Sequence, residues 1–254
     1  PASGVLRLTL NRPQARNALS SDLMAALQAA LDGAAADDAT RVVVIAAEGP
    51  VFSSGHDLKE LTARRADGDR GAAAYAALFT RCSALMQAIV RHPKPVIAQV
   101  QGTATAAGCQ LVASCDLAIA ADTARFATPG VNIGLFCSTP MVALSRNVPR
   151  KAAMEMLLTG EMVEADDAAR IGLINRAVPP EMLEAEVMAL AARIAAKPRA
   201  TVRTGKEAFY TQLEMPLAQA YDYASRVMTE NMLDADACEG IGAFLEKREP
   251  QWRK

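Results

Sequence analysis

Histidine is nearly absent: His56 and His92 are the only two in 254 residues. With so few imidazoles, and no cysteine or carboxylate spacing that suits a metal, a metal centre is not expected. An excess of one charge is also lacking. Lysine plus arginine number 27 against 28 aspartate plus glutamate, a formal net charge of −1. No basic field is present to recruit nucleic acid or an anionic lipid surface. Paired cysteines are missing. Cys82, Cys109, Cys115, Cys137 and Cys238 are odd in number and none forms a C-x-x-C motif, so they read as reduced thiols of a cytosol-like compartment. No apolar run reads as approaching the ~20 residues of a membrane span, and no secretory signal is visible. The expectation is a soluble, cytoplasmic protein, or a mitochondrial matrix-like one in a eukaryote, with no membrane insertion and no nucleic-acid partner.

What is there is apolar: 51 % of the residues, ample for the core of one large domain. "VLRLTL" (5–10) alternates as a half-exposed strand does, and "RVVVIAA" (41–47) and "PVIAQV" (95–100) are continuous runs suited to strands buried on both faces. Ser20 or Ser21 caps a helix with apolar residues at helical spacing, and a long helix is expected from about Ala72 to Arg91, ended by Pro93 and Pro95. "DLAIAA" (116–121) is a further strand. After Ser138 only "INRAV" (174–178) reads as a strand; the rest reads as helices broken near Pro149, Gly160, Gly172, Pro179, Pro198 and Pro216. The fold class is α/β. The expected organisation is an α/β core over 1–196 and a helical C-terminal region over 197–254, rich in methionine (Met215, Met228, Met232) and suited to packing on a partner subunit or on the chain's own core.

Two loops share one logic. "EGPVFSSGHDLKEL" and "GTATAAGCQLVASCD" each put small residues where a strand hands over to a helix. Small residues let a ligand reach the backbone, and a helix N-terminus offers unpaired N–H groups and a partial positive charge. Two such termini side by side can aim two donors at one oxygen, as an oxyanion hole does. Each loop alone is also ordinary turn punctuation.

Six stretches, "LNRPQARNALS", "VFSSGHDLKEL", "HPKPVIAQVQGTATAAGCQLVASCDLAIA", "FATPGVNIGLF", "EMLLTGEMVEADDAARIGLINRAV" and "AFLEKREPQW", follow one another in the order of the crotonase (enoyl-CoA hydratase/isomerase) superfamily. The chain resembles that family over essentially its whole length. The resemblance implies a ββα spiral core with a helical C-terminal region that trimerises, trimers often paired into hexamers, and acyl-CoA thioester substrates. It implies no separate cofactor, coenzyme A being part of the substrate. It places one oxyanion donor at the backbone N–H of His56, after Gly55, and the other at that of Ala107, before Gly108. The family usually has glycine where Ala107 stands. Asp57, Leu58 and Lys59 would line the thioester and pantetheine path, Ala15 and Arg16 the adenine loop, and Lys247 with Arg248 a basic segment able to meet CoA phosphates. Ser138 falls where some relatives carry an aspartate.

The resemblance stops at the acids. Typical hydratases use two glutamates, and their positions hold Gln110 and Gly130 here. A carboxamide can orient water but cannot take its proton; glycine does neither. General acid–base catalysis is worth about 10²–10⁴-fold, so ordinary hydration is expected to be weak. Gln110 reads equally as a group that orients water or the acyl chain and as an ordinary polar residue of a first helical turn. The backbone of His56, rather than its ring, is taken as its useful part. His92, Asp57, Asp116 and Glu239 read as structural, and Cys109 and Cys137 as buried small hydrophobes. Three functions compete: an enzyme working through a thioester enolate, hydratase/isomerase-like or base-independent as in decarboxylation; a catalytically impaired acyl-CoA-binding protein; and RNA binding, seen in one relative through a lysine-rich helix. The corresponding "SSDLMAALQAALDGAAADD" has no lysine and several aspartates, which counts against the third.

Overall fold

In the computed structural model, which describes residues 4–253, a five-stranded sheet carries the molecule. Its strands are β1 (Val5–Leu10), β2 (Val42–Ala47), β4 (Val96–Val100), β6 (Leu117–Ala121) and β9 (Arg176–Val178), side by side in that order and all parallel. A second sheet holds much shorter strands: β3 (Val51–Ser53), β5 (Thr103–Thr105) and β7 (Arg125–Ala127), parallel to one another, and β8 (Val163–Glu164), antiparallel to β7. The chain passes from the large sheet to the small one three times, β2 to β3, β4 to β5 and β6 to β7, and each time continues into helical structure. This is the ββα spiral.

The continuous apolar strands owe their runs to burial on both faces. Val43 and Ile45 join one core cluster with Leu27 and Leu31 of helix α1 (Ser21–Ala36) and Leu85 and Ile89 of helix α3 (Ala72–Val90). Val42 and Val44, on the opposite face, meet Leu183, Val187 and Ala191 of helix α8 (Leu183–Ala195). Each such buried side chain is worth roughly 1.5–3 kcal/mol. Ser20 caps α1, its hydroxyl accepting from the Leu23 amide at 3.2 Å.

Several sequence-based expectations need correction. The loops at 48–57 and 102–108 contain β3 and β5, and β7 and β8 were not anticipated. The strand expected over 174–178 is confined to Arg176–Val178, because the Asn175 side chain turns in to accept the Ala118 amide at 2.8 Å. Helix α3 does have the length and apolarity of a membrane span, contrary to the reading that no run approaches one. One face of it packs on the protein, through Leu78, Cys82, Leu85, Met86 and Ile89.

After α8 come α9 (Arg199–Leu213), α10 (Leu217–Met232) and α11 (Ala235–Glu246). Helix α9 is latched to the large sheet. Lys206 Nζ donates to the Asp116 carboxylate at 2.7 Å and to the Ile89 and Lys94 carbonyls at 3.1 Å each, and the Tyr210 hydroxyl donates to the same carboxylate at 2.9 Å. Burial lowers the Lys206 pKa against the pull of Asp116. Next to this latch His92 bridges the Lys94 backbone and the Leu31 carbonyl of α1. Helices α10 and α11 leave large apolar side chains in the open, among them Leu217, Tyr221, Met228, Phe244 and Leu245.

Candidate active site at two strand-to-helix turns

The two loops meet. Gly55, at φ +92°, lies so close to the second loop that a methyl group on it would come 2.8 Å from Ala106 Cβ, 3.1 Å from the Thr105 carbonyl and 3.2 Å from the Ala107 nitrogen. The contact is returned at Gly108, where a methyl group would overlap the Ser53 carbonyl of β3. Only glycine lets backbones approach this closely. The first loop is also held by the segment before α1. The Leu19 amide donates to the Gly55 carbonyl at 2.7 Å, the Ser54 amide to the Arg16 carbonyl at 3.1 Å, and the Ser53 hydroxyl to the Asn17 carbonyl at 2.9 Å. Ala15 ends a short 3-10 turn there and Arg16 takes a left-handed conformation. The predicted residues at 15–16, 55–57 and 107–110 thus come to one place.

Helix α4 (Ala107–Ser114) begins at that junction. Ala106 before it adopts φ 50°, ψ −119°, a conformation that suits glycine. It is pinned from both sides, its N–H donating to the Ala127 carbonyl at 2.9 Å and its carbonyl accepting the Gln110 amide at 3.0 Å. Ala107, one residue on, is in ordinary helical geometry, so its Cβ is tolerated and its amide is retained. Among the described residues neither the His56 amide nor the Ala107 amide donates to a protein acceptor.

Around this junction the side chains differ in character. Asp57 caps helix α2 (Leu58–Ala63), accepting from the Lys59 and Glu60 amides at 3.1 and 3.4 Å, and pairs with Arg12 at 3.3 Å. Burial pushes its carboxyl up, but those amides and the guanidinium outweigh it and hold the pKa below the ordinary value. It is an ionised cap, as its place in the sequence suggested. Leu58 and Lys59 are exposed at the rim. Burial lowers the His56 pKa, more than offsetting the Leu19 backbone and the Glu60 carboxylate that favour its cation. The ring stands edge-on to Phe79 of α3, centroids 5.5 Å apart, and neither ring nitrogen has a hydrogen-bond partner.

Gln110 is buried, and its Oε1 accepts from the Cys82 thiol at 3.9 Å. Burial raises the Cys82 pKa to about 11, so that thiol stays a donor. The amide oxygen thus meets α3, and the NH₂ end is a pair of donors with no hydrogen bond to the described residues. Gly130 is different. A methyl group there would lie 2.7 Å from the Leu135 carbonyl and 2.9 Å from Cys137 Sγ. The chain turns back at this point, the Leu135 amide donating to the Gly130 carbonyl at 2.9 Å. The space where a second acid's side chain would begin is occupied by backbone and sulfur. Ser138 follows that turn but is exposed, its hydroxyl donating to the Phe136 carbonyl at 3.4 Å. Lys247 ends α11, which packs on α10, and makes no hydrogen bond to either loop; Arg248 is committed to Glu239 and Glu246. Cys109 is fully buried, its thiol pushed up to about 12 by desolvation.

Comparison with known proteins now decides the family. The enoyl-CoA hydratase/isomerase family model matches residues 1–254. The chain belongs to the enoyl-CoA hydratase/isomerase family. Among its members, the mouse (Mus musculus) protein named enoyl-CoA hydratase domain-containing protein 3, mitochondrial, is 51 % identical over 249 residues, 98 % of this chain and 81 % of that one. The crystal structure of the human protein of the same name is similar at TM-score 0.94 and 50 % identity, covering 98 % of this chain and 97 % of that one. A Mycobacterium smegmatis enoyl-CoA hydratase structure is similar at TM-score 0.95 and 56 % identity, over 100 % and 97 %. These likenesses also establish the crotonase fold. Sequence reading missed Phe79 and Cys82, the α3 residues that touch His56 and Gln110. Their i, i+3 spacing marked a helix face, but nothing local tied that face to the loops.

Proposed function

We propose that the protein binds an acyl-CoA thioester and polarises its carbonyl with the backbone amides of His56 and Ala107, stabilising a thioester enolate. The observation that carries this reading is the junction itself: two amides without protein acceptors on loops whose backbones touch at Gly55 and Gly108. One such donor is typically worth ~3 kcal/mol of transition-state stabilisation. Gln110 and Gly130 leave no carboxylate at either glutamate position, so hydration of a simple enoyl-CoA is slow. Chemistry that needs an enolate but no base, such as loss of carbon dioxide from a malonyl-type thioester, fits the residues better. The lyase or isomerase class follows the family.

A binding protein without turnover is the second reading. It is favoured by the turn at 130–137, which fills the second acid's space instead of leaving it open. In either case copies of the chain associate through the apolar faces of α10 and α11 as a trimer or a pair of trimers.

Calorimetry with acyl-CoA and free CoA tests the shared part: heat of binding is expected for the thioester, and none at millimolar ligand would sink both readings. Crotonyl-CoA hydration at the rate of ordinary hydratases would sink the slow-hydration part alone.

A further inference from the structure

The His56 amide owes its freedom to the segment that precedes α1. Leu19 and His56 form a single parallel bridge, in which the Leu19 amide donates to the Gly55 carbonyl at 2.7 Å and the Asp57 amide to the Leu19 carbonyl at 3.4 Å. Both bonds use the neighbours of His56. In a parallel pair this leaves the flanked residue's own N–H and C=O on the far side. Residues 16–19 therefore fix which way the His56 N–H points.

That segment is itself held by one side chain. Asn17 is fully buried and left-handed at φ 49°, a conformation asparagine adopts more readily than most residues. Its Nδ2 donates to the Glu48 carbonyl at 2.9 Å and to the Val51 carbonyl at 2.8 Å, and its Oδ1 accepts the Arg12 amide at 2.8 Å. Two donors and an acceptor on one short planar group are what a carboxamide supplies. The backbone takes part as well. The Asn17 carbonyl accepts the Ser53 hydroxyl at 2.9 Å, and that hydroxyl oxygen accepts the Gly55 amide at 3.4 Å. Asn17 thus joins the segment after β1, the turn before β3 and the loop that carries His56, two residues from the bridge.

We propose that Asn17 is a positioning residue: its carboxamide sets the 16–19 segment and, through the bridge, the aim of the His56 amide at the thioester oxygen. This rests on the thioester-binding reading above. Asn17 is fully buried and its carboxamide is engaged with three backbone groups, so it acts through the backbone it holds and not by touching the ligand. Without the carboxamide the Glu48 and Val51 carbonyls and the Arg12 amide lose their partner together, and the segment is free to shift against β3.

The test compares two ligands that differ at the carbonyl: butyryl-CoA, a thioester, and S-butyl-CoA, the thioether with a methylene in its place. Both are titrated calorimetrically into the full chain. The wild type is expected to bind the thioester on the order of tenfold more tightly, the effect of one well-made buried hydrogen bond. Asn17→Gly accepts the left-handed backbone, keeps the carbonyl that meets Ser53 and removes only the carboxamide. It is expected to bind the two ligands alike, through loss of thioester affinity. A merely structural role would weaken both ligands by the same factor, and a thioester preference that survives in a folded Asn17→Gly chain overturns the proposal. Should that variant not fold, Ser53→Ala, which removes the hydroxyl between the Asn17 carbonyl and the Gly55 amide, carries the same comparison: a reduced preference supports the proposal and an unchanged one overturns it. A wild type that binds both ligands alike overturns the thioester-polarising reading itself, and the role of Asn17 with it.

Discussion

The two positions that distinguish this chain from two-acid hydratases have different surroundings. At 110 the backbone is intact: a helical first turn, a buried side chain of glutamate's size, and a carboxamide oxygen held by Cys82. Exchanging the amide for an acid there changes charge and little shape. At 130 the Leu135 carbonyl and the Cys137 sulfur lie where a Cβ on the glycine would have to go. The first site has room for a carboxylate side chain, and the second is closed by the turn from Gly130 to Leu135. Restoring the chemistry is therefore a different problem at each, although the sequence shows one changed letter in both.

The comparison can be broken in three ways, the largest effect first. Gly108→Ala attacks the frame that both positions depend on. Its methyl group overlaps the Ser53 carbonyl, so β3 and α4 must separate; a loss of roughly 2–4 kcal/mol in denaturant unfolding and of thioester binding is expected. A variant with unchanged midpoint and affinity would show that the loops do not need this contact. Next, Gly130→Ala and Gln110→Glu should part company. The alanine is expected to cost about 1–3 kcal/mol by overpacking against Leu135 and Cys137, with no gain in turnover. The Gln110→Glu chain should fold, lose about 1–2 kcal/mol from a desolvated carboxyl, and gain single-acid activity, read as double-bond isomerisation of an enoyl-CoA rising about 10²-fold. Equal stability costs with activity gained in neither would erase the distinction. Last, Ala106→Gly should stabilise by about 1 kcal/mol, since glycine accepts φ 50°, ψ −119° without a Cβ penalty, measured as a rise in Tm. A fall in Tm would mean that packing of the Ala106 methyl against Gly55 outweighs the backbone strain.

The same contrast explains what was legible beforehand. Val42 to Ile45 are β-branched without a break, and such a run announces a buried strand from its own composition. Val51–Ser53 and Thr103–Thr105 are three residues each, include serine and threonine, and become strands by pairing with each other and with β7, partners distant in the chain. Nothing local encodes that. The motif around Gly108 revealed the helix mouth, and the letters at 110 and 130 revealed the missing acids. The filled space at 130 depends on a turn closing at Leu135, and the Phe79–His56 and Cys82–Gln110 contacts depend on how α3 lies over two loops distant in sequence. Helix α3, expected as a long helix over about 72–91, has a composition that would also suit lipid, and its buried stripe faces α1 and α4.

Lys206 governs how the chain comes apart. Peeling α9 away would part the Lys206 ammonium, here largely withdrawn from water, from the Asp116 carboxylate and from the Ile89 and Lys94 carbonyls at one stroke. Helix α11 is held by surface pairs such as Arg248 with Glu239, contacts of a kind worth little each. Of the three helices after α8, α11 is therefore expected to fray first and the latched α9 last.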